Sequence, residues 1–130
     1  MKKNKKEVIE KLKMYILIRE NTPVEMHPAF AAHASLGCYL KFYDKESMKD
    51  WLNESFVKIV CLVNEAEFQK AKECDENYII VTESKLGKKE VAIAFVPILA
   101  YPEFFSHLKL WKPIEIKPKI KIDETNPKLK

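Results

Sequence analysis

The run Met14-Tyr-Ile-Leu-Ile-Arg19 is continuously apolar up to its terminal arginine, with no alternation of polar and apolar residues. Such a run suits a strand buried on both faces, which obliges the chain to lay helices above and below a sheet. The later segments can supply them. A loop over 20–25 containing Pro23 leads to Pro28, a residue suited to a helix's first turn, where its missing N–H costs nothing. The spacing predicts a helix from His27 to Tyr43, with Phe30, Ala34, Cys38 and Phe42 on one stripe against the sheet and Ala31 beside them. Gly37 and the alanines are expected to let that packing be close.

Met48, Trp51 and Leu52 at i, i+3, i+4 predict a second, short helix. Phe56–Val63 reads as the next strand. Asn64 followed by Glu67 has the spacing of a capping box, and the helix it opens should turn Phe68, Ala71 and Cys74 inward. Tyr78–Val81 and Val91–Ile98 read as two more strands joined by a turn through Gly87, with Pro97 near the end of the second. A short helix then runs over Glu103–Leu108. The order β-α-(α)-β-α-β-β-α implies an α/β fold: a mixed four-stranded sheet flanked by helices.

A chain of 130 residues, 47% hydrophobic and 32% charged, has the size of one domain and enough apolar material for a core. We divide it into a basic lead-in over 1–12, charged and helix-compatible from Lys5 to Lys11, an α/β domain over 13–112, and a basic tail over 113–130. The tail segment Pro113-Ile-Glu-Ile-Lys-Pro-Lys-Ile-Lys-Ile122 alternates apolar and charged residues, as an edge strand would, yet its two prolines suit a loose tail equally well.

The formal charge of +4 resides at the ends. Residues 1–13 hold six Lys against two Glu, and 112–130 hold six Lys against three acids, which leaves the body, 14–111, with 11 basic and 14 acidic residues. A dedicated nucleic-acid domain gathers its cations on a folded face. Within the body only Lys85-Leu-Gly-Lys-Lys89 forms a compact basic cluster, which reads first as a solvated hairpin tip. The tails can contact phosphate non-specifically. With two glycines in the chain there is no G-x-G-x-x-G or Walker loop, so no nucleotide cofactor is expected. No apolar run reaches the roughly 18 residues of a membrane span, and no signal-peptide stretch precedes Tyr15. Cys38, Cys61 and Cys74 read as reduced thiols of a cytoplasmic protein. His27, His33 and Cys38 lie on different faces of the helix, so no metal site is expected.

Three short motifs together resemble the class II peptidyl-tRNA hydrolase family: the strand ending at Arg19, Ala29-Phe-Ala-Ala-His-Ala34, and Ser106-His-Leu-Lys-Leu-Trp111. That family opens with a strand ending V-V-R, continues with G-K-x-A-A-Q-x-x-H-A on the first helix and closes with G-H-L-K-L. The likeness spans about residues 13–111 and implies the same β-α-β-α-β-β order and homodimeric pairing. The pairing expectation gains from Trp51, Phe104, Phe105 and Trp111, more large aromatics than a small monomer usually exposes.

Anchored on His33-Ala34, the family's Lys position falls on Met26 and its Gln position on Phe30, while its Asp position falls near Thr82, with Glu83 adjacent. The family glycines beside the Lys and Asp are also missing. Arg19, His33, Ala34, His107, Leu108, Lys109 and Leu110 match. Ester hydrolysis needs a positioned water, a proton acceptor and donors for the oxyanion. Met and Phe supply none of these, so the resemblance implies an apolar cleft and a non-catalytic binding or regulatory relative. The binding residues would be Arg19, Met26, Phe30, His33, Thr82, Lys88 and Lys89, with weak tRNA contact through the tails.

The alternative is an active hydrolase using substitutes: His27 as base, with Glu83 and Lys85. Against each stands a plainer reading. His27 can be a loop histidine beside a cap, His33 a packing residue, His107 structural, and Glu83 one half of a hairpin ion pair with Lys85 or Lys88.

Overall fold

The computed structural model describes residues 10–113. The apolar run becomes β1 (Lys13–Arg19), the central strand. A 3-10 turn, Val24–Met26, leads into α1 (His27–Phe42), and α2 (Glu46–Asn53) comes after it. Next come β2 (Val57–Val63), α3 (Glu65–Cys74), β3 (Tyr78–Glu83), β4 (Lys89–Phe95), α4 (Glu103–Ser106) and β5 (Lys109–Leu110). The sheet is mixed, five-stranded and ordered β3-β4-β1-β2-β5. β1 runs parallel to β2, with Ile16 opposite Val60, and antiparallel to β4. β3 and β4 form the antiparallel hairpin.

Two cores form because β1 is apolar on both faces. Met14, Ile16 and Ile18 pack with Phe30, Ala34 and Cys38 of α1 and with Trp51 of α2. Leu17 packs on the opposite face with Phe68 of α3, Phe95 of β4 and Phe105 of α4. Phe30, Ala34 and Cys38 have no solvent exposure, as the helical stripe predicts. The capping box is present: the Asn64 side chain accepts the Glu67 N–H at 2.8 Å, and the Glu67 carboxylate accepts the Asn64 N–H at 2.9 Å. Cys38, Cys61 and Cys74 are unpaired thiols.

The structure departs from the sequence reading in several places. The sheet has five strands rather than four, because Lys109 and Leu110 within the His-Leu-Lys-Leu motif pair with Leu62 and Cys61. A two-residue strand is too short to show a period of its own. The last long strand spans Lys89–Phe95 rather than 91–98. Pro97 has no N–H for a ladder, and Ile98 keeps only an isolated bridge to Lys13. The final helix ends at Ser106, short of Leu108.

Trp51 and Phe105 are 1% exposed, so they do not supply the exposed aromatic surface from which pairing was argued. Leu52 turns outward instead of packing with Trp51. Exposed apolar surface falls on Leu36, Leu40, Tyr43, Leu52 and Phe56, and separately on Leu99 and Leu110. The lead-in over 5–11 and the alternating segment 113–122 lie outside the described residues except at Glu10, Lys11 and Pro113, which belong to no regular element. Among the described residues, no helix is long and apolar enough to cross a membrane.

Candidate functional site

Parallel strands present their carboxyl ends, with the helix starts just beyond them, as the place where α/β sheets hold ligands. Here the ends are Arg19 of β1 and Val63 of β2, tied by the Glu20 N–H donating to the Val63 carbonyl at 2.8 Å. The loop after Arg19 brings in Thr22 and then His27 at the start of α1. From the far end of the domain, Trp111 closes over this corner, its backbone N–H bonded to the Val60 carbonyl at 2.9 Å.

His27 is 3% exposed and both ring nitrogens are engaged. The Trp111 indole N–H donates to His27 Nδ1 at 2.9 Å. An indole can only donate, so Nδ1 is an acceptor and the ring proton resides on Nε2. Nε2 faces Thr22 Oγ1 at 2.9 Å, and the Thr22 hydroxyl in turn donates to the Arg19 carbonyl at 2.7 Å. The chain of bonds therefore has one direction: Trp111 to His27 to Thr22 to Arg19. Burial holds the His27 pKa below its ordinary value, against the opposing pull of its Thr22 hydrogen bond and of Glu25. Protonation would place a second donor against the indole N–H and break that bond. The geometry thus describes a neutral histidine used as a connector. Beside it lies an apolar pocket of about 210 Å³ walled by Ile18, His27, Pro28, Ala31, Val60 and Trp111.

Arg19 is committed as well. Its guanidinium pairs with Glu65 at the start of α3, donates to the Glu90 carbonyl at 2.9 Å and lies 5.0 Å over the Phe68 ring. The Glu65 carboxyl is held below the usual range, first by the Gln69 amide and then by Arg19. Met26 ends the 3-10 turn and packs against the α1 core, and Phe30 is wholly inside that core, with its ring 6.0 Å from His27. The position expected to floor a cleft is therefore interior packing.

The hairpin residues stand apart. Thr82 is exposed beside a register shift between Val81 and Thr82. The Glu83 carboxylate accepts the Lys85 N–H at 3.0 Å and so caps the turn Ser84–Leu86, in place of the expected ion pair. Lys85 and Lys88 are exposed, and Lys88 comes after Gly87 with φ 62°. Lys89 reaches the Asn21 carbonyl at 3.3 Å. No hydrogen bond among the described residues joins Glu83 or Lys85 to His27. His33 is exposed on α1, which removes its expected packing role, and the exposed His107 meets only Glu103, at 3.4 Å.

Burial pushes the Cys38 thiol up to about 12 and the Cys61 thiol up to about 11, far from a reactive thiolate. Among the described residues, no group of three His, Cys, Asp or Glu could hold a metal ion. Thr22 and Trp111 are the members that sequence reasoning missed: His27 and Trp111 lie 84 positions apart, and no local pattern joins them.

Fold and site together define a small α/β domain with a mixed five-stranded sheet and an occluded, neutral corner at the ends of its parallel strands. Neither a scan against protein-family models nor a comparison with curated proteins matches the chain.

Proposed function

We propose that this chain is a divergent relative of the class II peptidyl-tRNA hydrolases that binds rather than cleaves. The observation that carries this reading is the corner at the ends of β1 and β2. There, next to the Met26 and Phe30 positions that the resemblance marks, stand a neutral histidine with both nitrogens bonded, an arginine paired with Glu65, and a pocket with apolar walls. A hydrolytic site needs a group able to take a proton from water and donors aimed at an oxyanion. His27 as bonded has no lone pair to offer, and Met26 and Phe30 bring apolar atoms. The order of elements along the chain, two helices between β1 and β2, one between β2 and β3, and then the β3–β4 hairpin, is the order that the resemblance implies and supports the likeness. Any tRNA contact would run through the basic tails and weaken steeply with salt.

The test is turnover of purified peptidyl-tRNA by the full chain. The expected result is no hydrolysis above the protein-free blank. Multiple turnovers abolished by His27→Ala or Glu83→Gln would overturn the binding reading and establish the hydrolase one.

A further inference from the structure

Between α1, α2 and the sheet lies an apolar groove of about 450 Å³, with Ile16 of β1 and Val60 of β2 on its sheet side. A cavity of that size falls within the range of small-molecule sites, about 300–1,000 Å³. Three of its lining residues, Leu36, Leu52 and Phe56, are 60%, 42% and 50% exposed. Apolar side chains exposed singly are ordinary, but three around one hollow mark a place where something apolar sits.

The groove has one charged lining residue, Lys58. Side chains alternate along β2, so Lys58 and Val60 share the face turned to α1, while Cys61 and Val63 pack on the α3 side. Lys58 is exposed, yet its ammonium is held. It donates to the Phe56 carbonyl at 3.0 Å, and it lies 3.1 Å from the centre of the Phe56 ring and 5.2 Å from that of Trp51. Phe56 has φ 56°, fixed by its N–H bond to the Trp51 carbonyl at 2.8 Å. A bulky residue in that region is strained, and such strain gathers at ligand clamps. Here it turns one carbonyl and one ring onto the same ammonium.

An ammonium carries three donors, and the Phe56 carbonyl occupies one. No carboxylate among the described residues pairs with it. Partial burial strips water from the ammonium and lowers its pKa from the ordinary value. The groove therefore offers an under-solvated cation at its edge.

It also has a direction. Lys58 and Phe56 stand at one end. Toward the other, Ala31 and Val60 are shared with the pocket of about 210 Å³ that ends on His27 and Trp111. The two hollows together follow α1 from Tyr39 back to His27, roughly 18 Å at the rise of a helix. Such a trough fits a molecule with one anionic head and a long unbranched apolar tail. A second copy of the chain fits it poorly. A two-fold interface sets a patch against itself, and this lining has a cation and no acid.

We infer that the trough binds a straight-chain fatty carboxylate, with the carboxylate on the Lys58 ammonium and the alkyl chain laid over Val60 toward Trp111. Burial of the tail supplies the bulk of the affinity, and the charge-assisted bond fixes the orientation. The site rests on Lys58, Phe56 and the groove, so a peptidyl-tRNA assay decides nothing about it.

Isothermal titration of the full-length protein with decanoate, below its micellar concentration, tests the site against decyltrimethylammonium, which has the same tail and the opposite charge. The expected result is one saturable site per chain that takes decanoate about tenfold more tightly. That comparison needs no variant. Lys58→Met keeps an unbranched apolar side chain, removes the charge and should erase the preference, whereas Lys58→Arg should retain it. Lys41→Met removes a charge of α1 outside the trough and should change nothing. Leu36→Asp sets a like charge in the trough at an exposed position and should abolish decanoate binding, with far-UV circular dichroism unchanged. In NMR spectra of the complex, the terminal methyl group should show Overhauser contacts to the Trp111 indole, and the methylene beside the carboxylate to the Lys58 side chain.

Equal affinity for the two heads, or uptake of many molecules per chain without saturation, would reduce the effect to surfactant adsorption and overturn the site. An unchanged decanoate affinity in Lys58→Met would overturn it as well. Binding to anionic phospholipid vesicles with no uptake of decanoate would put a membrane surface there instead. A dimer that Leu36→Asp dissociates, again with no uptake of decanoate, would put a second copy there.

Discussion

Helix α1 lies across β3, β4 and β1 and stops short of β2, so one face of one sheet exists in two conditions. Under the helix, Val91, Ala92 and Ala94 of β4 are fully buried. Beyond it, Val60 and Leu62 of β2 are only half-buried, and the neighbouring helix surface shows Leu36, Leu40 and Tyr43 to solvent. The two halves have similar chemistry, since isoleucine, leucine and valine serve both. Apolar composition therefore does not by itself produce burial. The crossing position of one helix decides which apolar residues become core and which stay open to solvent.

The sharpest way to break this contrast is to truncate one residue on each side of α1. Phe30→Ala should cost about 3–5 kcal/mol of stability, because it removes a fully buried ring from a packed core. Leu36→Ala should change stability by less than about 1 kcal/mol, since Leu36 is 60% exposed. Denaturant unfolding of the two variants gives the comparison, and equal losses would show that the outer side is covered after all.

A middle-sized effect belongs to the corner where the two halves meet. His27→Phe and Trp111→Phe should each cost about 1–3 kcal/mol, because each strands a polar partner. The double variant should lose less than the two together, the mark of a shared bond. The same corner sets a pH dependence. His27 has its folded pKa below the ordinary 6.5, so the unfolded chain binds the proton first. Its contribution is complete above pH 6.5 and is lost as the pH falls from there through the lowered folded value. Unfolding midpoints across pH 5–8 should slope in the wild type and lose that component in His27→Phe.

The smallest effect refines the covered side. A Cβ on Gly37 would meet the Ile79 side chain at 3.4 Å, an ordinary contact, and the residue sits inside α1. Close packing therefore does not require glycine here, contrary to the expectation drawn from its place among the alanines. Gly37→Ala should stabilise by about 0.5–1 kcal/mol through helix propensity. A loss in the thermal midpoint instead would mean that the α1–β3 contact is tighter than it stands.

Much of the fold was readable in advance because it rests on periodicity. The run at 14–19, the stripe 30/34/38/42 and the Asn64–Glu67 cap are local patterns with local causes. What escaped reading depends on partners far apart in the chain. The Trp51 indole N–H finds the Val57 carbonyl at 2.7 Å, a partner that no helical spacing foretells. Glu83 became a cap because the strand ends in a 3-10 turn. The corner itself was half visible. His27 stood out as a titratable group at a helix start, but its protonation is dictated by Trp111, and only the folded chain brings the two together.

The central place of β1 has a consequence for synthesis. Among the described strands it is made first, yet its two neighbours are β2 and β4. The last residue of β4 is added 76 positions after Arg19. At about 5–20 residues per second, Tyr15-Ile-Leu-Ile18 waits roughly 4–15 s before both its edges can be paired. During that interval the nascent chain carries an adhesive apolar ribbon with open hydrogen-bonding edges. The strand that makes the finished domain cohesive is therefore the one that most needs shielding while the chain is being made.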